Sequence, residues 1–264
     1  MQSSAIKISN KVDEISKVAD LVDELGRRCA LPARIVNDMN VALDEVLSNI
    51  IRHGYDDHAP HQIDVQLSVN GGELCARVAD DGRPFDPTRQ KLVPISRETT
   101  APAVGGLGLH FVAALIDNIR YKRDGAINRL EMRKRMSGIR GSRTDRGKRV
   151  DWKEIWEHGV TVLEVSGQID STGAGALRER LTALIAAGTT NLLVDLHGVT
   201  YVTSAGFWAL LAAARLLEAR SGRLALCGLS NDVNRMFDLT ALDELFTIHP
   251  AREDAIAVIR DSSR

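Results

Sequence analysis

Three polar side chains recur at every fourth residue of the segment Ala42 to Tyr55, at Glu45, Asn49 and His53. Residues four apart share one face of a helix, so this spacing predicts a polar stripe on an otherwise apolar helix. A carboxylate and an amide one turn apart can hold a divalent cation and orient a hydroxyl group. A solvent-facing stripe is the alternative, and the stripe alone does not decide between them.

A second polar group follows a strand-like run from Leu74 to Ala79. Asp80, Asp81 and Gly82 come next, and two prolines after them indicate that the strand opens into a loop. Asp80 could accept a hydrogen bond from an exocyclic amine, and Gly82 would let a flat base approach the backbone. Asp-Gly is also an ordinary turn, so this feature is weak by itself.

A glycine-rich run opens the next apolar helical pattern: Gly105, Gly106, Leu107, Gly108, Leu109 and His110. Glycines at a helix start expose backbone N–H groups, and the positive end of the helix dipole favours phosphate there. A loop that only turns the chain is the alternative. The order of the three features along the chain is more specific than any one of them.

In that order, the Glu-x-x-x-Asn helix, the Asp-x-Gly turn and the glycine-rich helix start resemble the N, G1 and G2 boxes of the GHKL ATPase superfamily. Residues 1–136 resemble bacterial anti-sigma-factor serine kinases in particular, through the runs NIIRHGY and DDGRPFD. The resemblance implies an ATP-binding α/β sandwich with protein serine/threonine kinase activity of the GHKL type.

The same resemblance implies a role for each matching residue. Glu45 matches the general base, Asn49 the Mg²⁺ ligand, and Asp80 the acid that reads adenine. The other ATP-binding positions that it implies are Arg52, His53, Gly82, Gly105, Gly106, Leu107, Gly108, Leu109 and His110. The last strand of this half, which starts near Asn128, lacks the threonine that many relatives place near adenine.

Length and composition predict two soluble domains. A chain of 264 residues exceeds a typical domain of about 100–150 residues, and 44% hydrophobic residues suffice for two cores. The net charge of −1 argues against a nucleic-acid-binding class. No apolar run approaches the roughly 20 residues that cross a bilayer, and the N-terminus lacks a signal-peptide core. The scattered Cys29, Cys75 and Cys227 predict reduced thiols in a cytoplasmic protein.

Residues 137–150 separate the two halves. They lose hydrophobic periodicity and carry five cations against a single acid, Asp145. This composition is typical of a tether, and contact with an acidic partner or nucleic acid is the less favoured interpretation.

Coarse patterns predict an α/β fold on both sides of this segment. Before it, hairpins at Asn70-Gly71-Gly72 and Asp124-Gly125 and a long helix after Pro32 predict helices over one face of an antiparallel-rich sheet. After it, strands that alternate with helices predict a small sheet with helices packed on it, and Ser171 or Thr172 is expected to cap the first helix.

In the second half, Ser204 stands directly ahead of an apolar helix in the run DLHGVTYVTSAGF. A serine at a helix N-cap is most often only a cap, which stabilises the helix by about 1 kcal/mol. Its hydroxyl is expected to be exposed, and a phosphate on it would meet free N–H groups and a favourable dipole.

The second domain, residues 151–264, resembles STAS domains, the anti-anti-sigma factors, over residues 151–260. The resemblance rests on the run GQID at 167–170, the run around Ser204 and the run RMFDLTAL from Arg235. It implies that Ser204 matches the serine that cognate kinases phosphorylate. The family usually has Asp-Ser-Ser-Gly or Asp-Thr-Ser-Gly there, whereas this chain has Thr203-Ser204-Ala205-Gly206, and Thr203 is a second candidate for modification.

Together the two resemblances imply a partner-switching regulator of transcription that uses ATP and Mg²⁺. The implied partners are a sigma factor or a STAS-domain protein, with a separate serine phosphatase. Nucleic acid and membrane are not expected as direct partners, and a homodimer stays open. The alternative is a non-catalytic scaffold that binds nucleotide and proteins. A sensor histidine kinase is disfavoured because no long helical segment with a phosphoacceptor histidine precedes the first domain.

Overall fold

The computed structural model describes residues 2–57, 59–89, 106–136, 150–240 and 243–261. These residues fall into two compact units, one holding the described residues up to 136 and the other those from 150 onward. Within the described ranges, no helix is both long and apolar enough to cross a membrane.

The first unit is a five-stranded antiparallel sheet covered by three helices. Its strands are β1 (Gln2–Ser9), β2 (Gln62–Asn70), β3 (Glu73–Asp80), β4 (Asn118–Asp124) and β5 (Ile127–Arg135). Its helices are α1 (Ile15–Arg28), α2 (Ala33–His53) and α3 (Gly106–Leu115), with short 3₁₀ turns at Val12–Glu14 and Pro87–Arg89. The strand order β1-β2-β3-β5-β4 confirms the predicted antiparallel-rich α/β architecture.

Glycine makes both predicted hairpin turns possible. Gly71 and Gly72 join β2 to β3 with φ values of 57° and 79°, and Gly125 joins β4 to β5 with φ of 60°. Residues with a Cβ rarely adopt these angles, so the turn positions set the pairing register of the strands.

The core of this unit lies between one face of the sheet and the helices. Alternate residues of β2, including Ile63, Val65 and Leu67, are buried in one hydrophobic core with residues of the apolar stripe of α2, such as Leu43 and Leu47. This two-residue period on the strands and the helical period on α2 are the patterns that the sequence displays. The opposite face of the sheet carries mostly polar and charged side chains.

A buried ion pair links α2 to the sheet. Asp38 of α2 is buried and lies 2.9 Å from the Lys134 ammonium of β5, which also donates to the Leu115 carbonyl at the end of α3. Because an unpaired buried charge is costly, this contact constrains how all three elements pack.

The second unit is also an α/β fold, as predicted. Its strands are β6 (Asp151–Glu157), β7 (Val160–Ile169), β8 (Asn191–Val202), β9 (Arg223–Cys227) and β10 (Thr247–His249). They lie in the order β10-β9-β8-β7-β6, with only the β6–β7 pair antiparallel. Its helices are α4 (Gly173–Ala186), α5 (Ser204–Glu218), α6 (Asn231–Thr240) and α7 (Arg252–Asp261).

The start of α4 differs from the expected cap. Thr172 occupies the N-cap position, but its side chain makes no capping hydrogen bond. Instead, Asp170 Oδ1 accepts from the backbone N–H groups of Thr172 (3.0 Å) and Gly173 (2.7 Å). The predicted N-cap position of Thr172 is therefore confirmed, but the Asp170 carboxylate, rather than the Thr172 hydroxyl, accepts from the first free amides.

The three cysteines are free thiols, as predicted. Cys75 and Cys227 are buried and Cys29 is half-buried. Burial raises the pKa of Cys227 to about 12, so this thiol is protonated and unreactive near neutral pH.

Candidate functional site

A cavity of about 360 Å³ opens in the first unit beside the second half of α2. Apolar side chains form much of its wall: Val46, Ile50, Leu109 and Leu130. Polar groups join the wall from three separate elements, at Asn49, Asp80 and Asn128. A mostly apolar cavity with a few convergent polar groups is typical of a small-molecule site.

The polar stripe of α2 divides between the cavity and the core. Asn49 and His53 lie on the cavity wall. Glu45, one turn earlier, is only 5% exposed and lies outside the wall, deeper in the domain. Arg52 is exposed on the neighbouring face of the helix. Burial together with the charges of Arg52 and Arg83 lowers the pKa of His53, which favours its neutral form.

The glycine-rich run begins a helix as expected. The first helical residue of α3 is Gly106, so Leu107 and Gly108 lie in its first turn. The first N–H groups of an α-helix lack intrahelical partners and can bind an anion. Leu109 lies on the cavity wall, His110 is half-buried, and Gly105 lies outside the described residues.

Asp80 is the last residue of β3 and one of the buried acids of the domain. Its Oδ1 accepts from the backbone N–H of Gly82 (2.9 Å) and from Asn128 Nδ2 (2.9 Å). Among the hydrogen bonds of the described residues, its Oδ2 accepts none. Burial is the main influence on this carboxyl and raises its pKa. The free oxygen is therefore an acceptor for a donor group bound in the cavity.

Gly82 lies where the turn after β3 meets the end of α2. A Cβ at this position would lie 2.7 Å from the Gly54 carbonyl oxygen and 2.8 Å from Asp80 Oδ1. The contact that demands glycine is thus made by the protein's own backbone, in addition to any approach by a flat base.

Arg83 fastens the same turn to α2, and the sequence reasoning missed it. Its backbone N–H donates to the Gly54 carbonyl (2.7 Å), and its Nη2 donates to the His53 carbonyl (2.7 Å). An ion pair with Asp56 (2.9 Å) adds a further contact. The last carbonyls of a helix need such donors, and an arginine also suits the negative end of the helix dipole.

Asn128 is a second residue that the sequence reasoning noted only for the missing threonine. It is buried on β5, and its Oδ1 accepts from Tyr121 Oη (2.7 Å) and Arg123 Nη1 (2.6 Å). Asn128 could have been found only from the pairing register of β3 and β5, which places it opposite Asp80.

An unpredicted histidine links two loops near the cavity. The His61 ring contacts Asp57 through Nε2 (2.8 Å) and Asp81 through Nδ1 (3.0 Å), and it stacks on Tyr55 with ring centroids 4.1 Å apart. Both partners are carboxylates, so both ring nitrogens act as donors when the ring is charged. The bonds to Asp57 and Asp81 raise the pKa of His61.

In the second unit, Ser204 is the first residue of α5 and Thr203 is its N-cap. Ser204 is only 9% exposed, so the expectation of an exposed hydroxyl is wrong. The cause is its position after β8, which has strands on both sides, with α5 packed over the sheet. Thr203 is fully buried, and its Oγ1 donates to the Ile169 carbonyl (3.2 Å). Trp208, half-buried, lies one turn after Ser204 on α5.

Two family models match these two units. Residues 8–134 match the histidine kinase-like ATPase domain, and residues 156–255 match the STAS domain. This chain joins a histidine kinase-like ATPase domain to a STAS domain. The α/β folds of the two units agree with that assignment, and the two matched ranges lie on either side of residues 137–150.

Each of the following known proteins resembles one part of the chain. The serine/threonine-protein kinase BtrW of Bordetella bronchiseptica is 26% identical over 111 residues, which cover 42% of this chain and 78% of BtrW. The serine-protein kinase RsbW of Bacillus velezensis is 28% identical over 109 residues, which cover 40% of this chain and 68% of RsbW. BtrV of Bordetella bronchiseptica, which bears the name of an anti-sigma factor antagonist, is 28% identical over 102 residues, which cover 39% of this chain and 88% of BtrV.

One solved structure is also similar to part of the chain. The anti-sigma factor antagonist from Mycobacterium paratuberculosis is 30% identical, with a TM-score of 0.40, and the match covers 42% of this chain and 95% of that protein.

Proposed function

We propose that this protein is a partner-switching regulator of transcription. Its ATPase domain acts as a serine kinase and anti-sigma module, and its STAS domain acts as the antagonist of such a module. The observation that carries the proposal is the combination of both domains in one chain. BtrW and BtrV, a kinase and a protein named as an antagonist, are separate proteins of one bacterium, and this chain resembles both.

The cavity of the ATPase domain suits ATP. Val46, Ile50 and Leu130 provide apolar contacts for a flat purine, and the free Oδ2 of Asp80 accepts from its amino group. The first turn of α3 offers backbone N–H groups for the phosphates. Three features from distant parts of the sequence thus support one nucleotide site.

Asn49 is the residue that would hold Mg²⁺. Its side chain lies on the cavity wall and supplies an amide oxygen, and Mg²⁺ in such sites needs only one or two protein ligands beside phosphates and water. The ion would neutralise charge on the transferred phosphoryl group. Glu45, one helical turn before Asn49, takes the proton from the accepting serine hydroxyl.

Ser204, or the equivalent serine of a separate STAS-domain protein, accepts the phosphoryl group. Phosphorylation adds about −1.5 to −2 units of charge at neutral pH. Because Ser204 is only 9% exposed, that charge would disrupt the fit of any partner that covers the start of α5. A separate phosphatase would then restore the unmodified serine.

The burial of Ser204 also favours a second candidate function. A serine that is almost covered is a poor substrate, and the residue before it is the fully buried Thr203 rather than an acid. A non-catalytic scaffold would bind nucleotide in the ATPase domain and proteins on both domains, without phosphoryl transfer.

Incubation of the full chain with Mg²⁺ and γ-labelled ATP, followed by mass spectrometry, separates the two functions. We expect label on Ser204, loss of that label in Ser204→Ala, and a rate reduced about 10²- to 10⁴-fold in Glu45→Gln with nucleotide still bound. Bound nucleotide without label on this chain or on an added STAS protein would establish the scaffold. Label on histidine alone would contradict both.

A further inference from the structure

We propose that Asn128 is a positioning residue for base recognition. It holds Asp80 with one carboxylate oxygen open to the cavity, and so makes the site prefer a purine with an amino group at C6 over one with a carbonyl group there. This inference rests on the proposed nucleotide site and adds to it the residue that sets base selectivity.

Asp80, Asn128 and Arg123 form one row across three adjacent strands. Strand pairing places Asn128 of β5 opposite Asp80 of β3 and also opposite Arg123 of β4. The pairing of β3 with β2 ends one residue earlier, at Asp64 and Ala79. Asp80 therefore has a strand partner on one side only, and that partner is Asn128.

The hydrogen bonds of Asn128 allow a single orientation of its amide. Nδ2 is surrounded by three acceptors, namely Asp80 Oδ1 (2.9 Å), the Arg83 carbonyl (3.0 Å) and the Gly82 carbonyl (3.2 Å). Oδ1 receives two donors, Tyr121 Oη and Arg123 Nη1. A flipped amide would place its oxygen against three acceptors and its NH₂ group against the Arg123 guanidinium, which only donates, so four of the five bonds would be lost without replacement.

This arrangement assigns different tasks to the two oxygens of Asp80. Oδ1 is occupied by the Gly82 N–H and the Asn128 amide. Oδ2, which accepts no hydrogen bond within the described part of the chain, is left for the ligand. An ionised carboxylate only accepts hydrogen bonds, so it pairs with an amino group and opposes a carbonyl oxygen.

Without Asn128, the carboxylate of Asp80 would lose this constraint. A carboxylate free to turn could accept instead from the N1–H group of a 6-oxopurine, and the distinction between the two bases would weaken. A threonine has a single hydroxyl hydrogen and could not make all the contacts of the Asn128 amide.

The test compares the dissociation constants of ADP and inosine diphosphate for the full chain and its variants. We expect the wild type to prefer ADP by about 100-fold, the scale of a hydrogen bond to a charged group. Asn128→Ala should weaken ADP at least 10-fold and change inosine diphosphate less than 3-fold. The matched control is Arg129→Ala, because the neighbouring Arg129 lies on the opposite face of the sheet and pairs with Asp124.

A second variant serves if Asn128→Ala fails to fold in a thermal unfolding assay. Tyr121→Phe removes only one donor to Asn128 Oδ1 and should lower the ADP preference several-fold. An equal loss of both nucleotides, or an unchanged preference, would overturn the positioning role while leaving the proposed function standing. A wild-type chain that binds neither nucleotide would overturn the nucleotide site itself.

Discussion

The adjacent carboxylates of Asp80 and Asp81 have different roles in the ATPase domain, and the residues around each of them determine the difference. Asp80 is buried with one oxygen free, whereas the adjacent Asp81 is exposed and contacts His61. The sequence Asp-Asp-Gly identifies both acids but does not say which one turns inward. Alternation along β3 decides this, because Val78 and Asp80 share the core face of the sheet.

Asp80→Asn should reduce the affinity for ADP by about 100-fold or more. The substitution can place an NH₂ group where the amino group of adenine needs an acceptor, and it also alters the bonds to Gly82 and Asn128. Isothermal titration calorimetry measures the loss. The neighbouring Asp81→Asn is the control and should retain binding, and equal affinity of Asp80→Asn and wild type would refute the base site.

The contacts of His61 predict a contribution to stability that declines as the pH rises. Its pKa is raised in the folded state by the bonds to Asp57 and Asp81. Its charged form therefore favours folding below the unfolded pKa of about 6.5, and this contribution is lost as the pH rises through the raised folded value. Urea unfolding of wild type and His61→Gln between pH 5.5 and 9 should give a stability difference that shrinks with pH. A difference that grows with pH would contradict this assignment.

At the scale of elements, the cavity depends on how the turn after β3 is fastened to the end of α2. Gly82 and Arg83 make this junction by close backbone contact and by hydrogen bonds to the His53 and Gly54 carbonyls. The helix that carries Asn49 and the strand that carries Asp80 are thereby held in one arrangement, so a change at the junction affects the cavity from two sides.

Gly82→Ala should lower both the stability of the ATPase domain and its affinity for nucleotide. The added Cβ would overlap the Gly54 carbonyl and Asp80 Oδ1, and overpacking of this kind costs about 1–3 kcal/mol. Gly175→Ala in α4 is the control, since beyond its chain neighbours and the adjacent backbone of α4 no described heavy atom lies within 4 Å of the position that its methyl group would take, and it should be neutral or stabilising. Chemical unfolding and ADP titration of both variants provide the comparison.

Local patterns predicted the elements, whereas long-range pairing determined much of the site. The two-residue period, the glycine turns and the glycine-rich helix start all have their signals within a few residues, and each prediction agrees with the structure. Asn128 gains its place by pairing with a strand nearly fifty residues earlier. The Asp170 cap and the burial of Ser204 also depend on backbone geometry and packing that composition does not display.

At the scale of the whole molecule, the proposed regulation depends on the short distance along the chain between the two domains. The 14 residues from 137 to 150 can span at most about 50 Å in any conformation. A domain confined to such a distance has an effective concentration on the order of millimolar at its neighbour. Even a weak docking surface would then be occupied, so the STAS domain is expected to compete with an external sigma factor.

Deletion of residues 151–264 should therefore raise the affinity of the ATPase domain for its sigma factor. Residues up to 136 have a hydrophobic core of their own, so the truncated chain is expected to fold. Ser204→Asp in the full chain should also raise the affinity for the sigma factor, because a negative charge at the start of α5 weakens docking of the STAS domain on the ATPase domain. Surface plasmon resonance with the sigma factor immobilised measures all three proteins, and identical affinities would show that the tethered domain does not regulate binding.

The half-buried Trp208, one turn from Ser204, gives the protein a built-in optical signal. All three tryptophans, Trp152, Trp156 and Trp208, belong to the STAS domain, and residues 1–136 contain none. Excitation at the red edge of the indole absorption band thus illuminates one domain selectively, without any dye. A dianionic group arriving near the Trp208 indole would shift its emission spectrum, so phosphoryl transfer could be followed in real time in the unlabelled native chain.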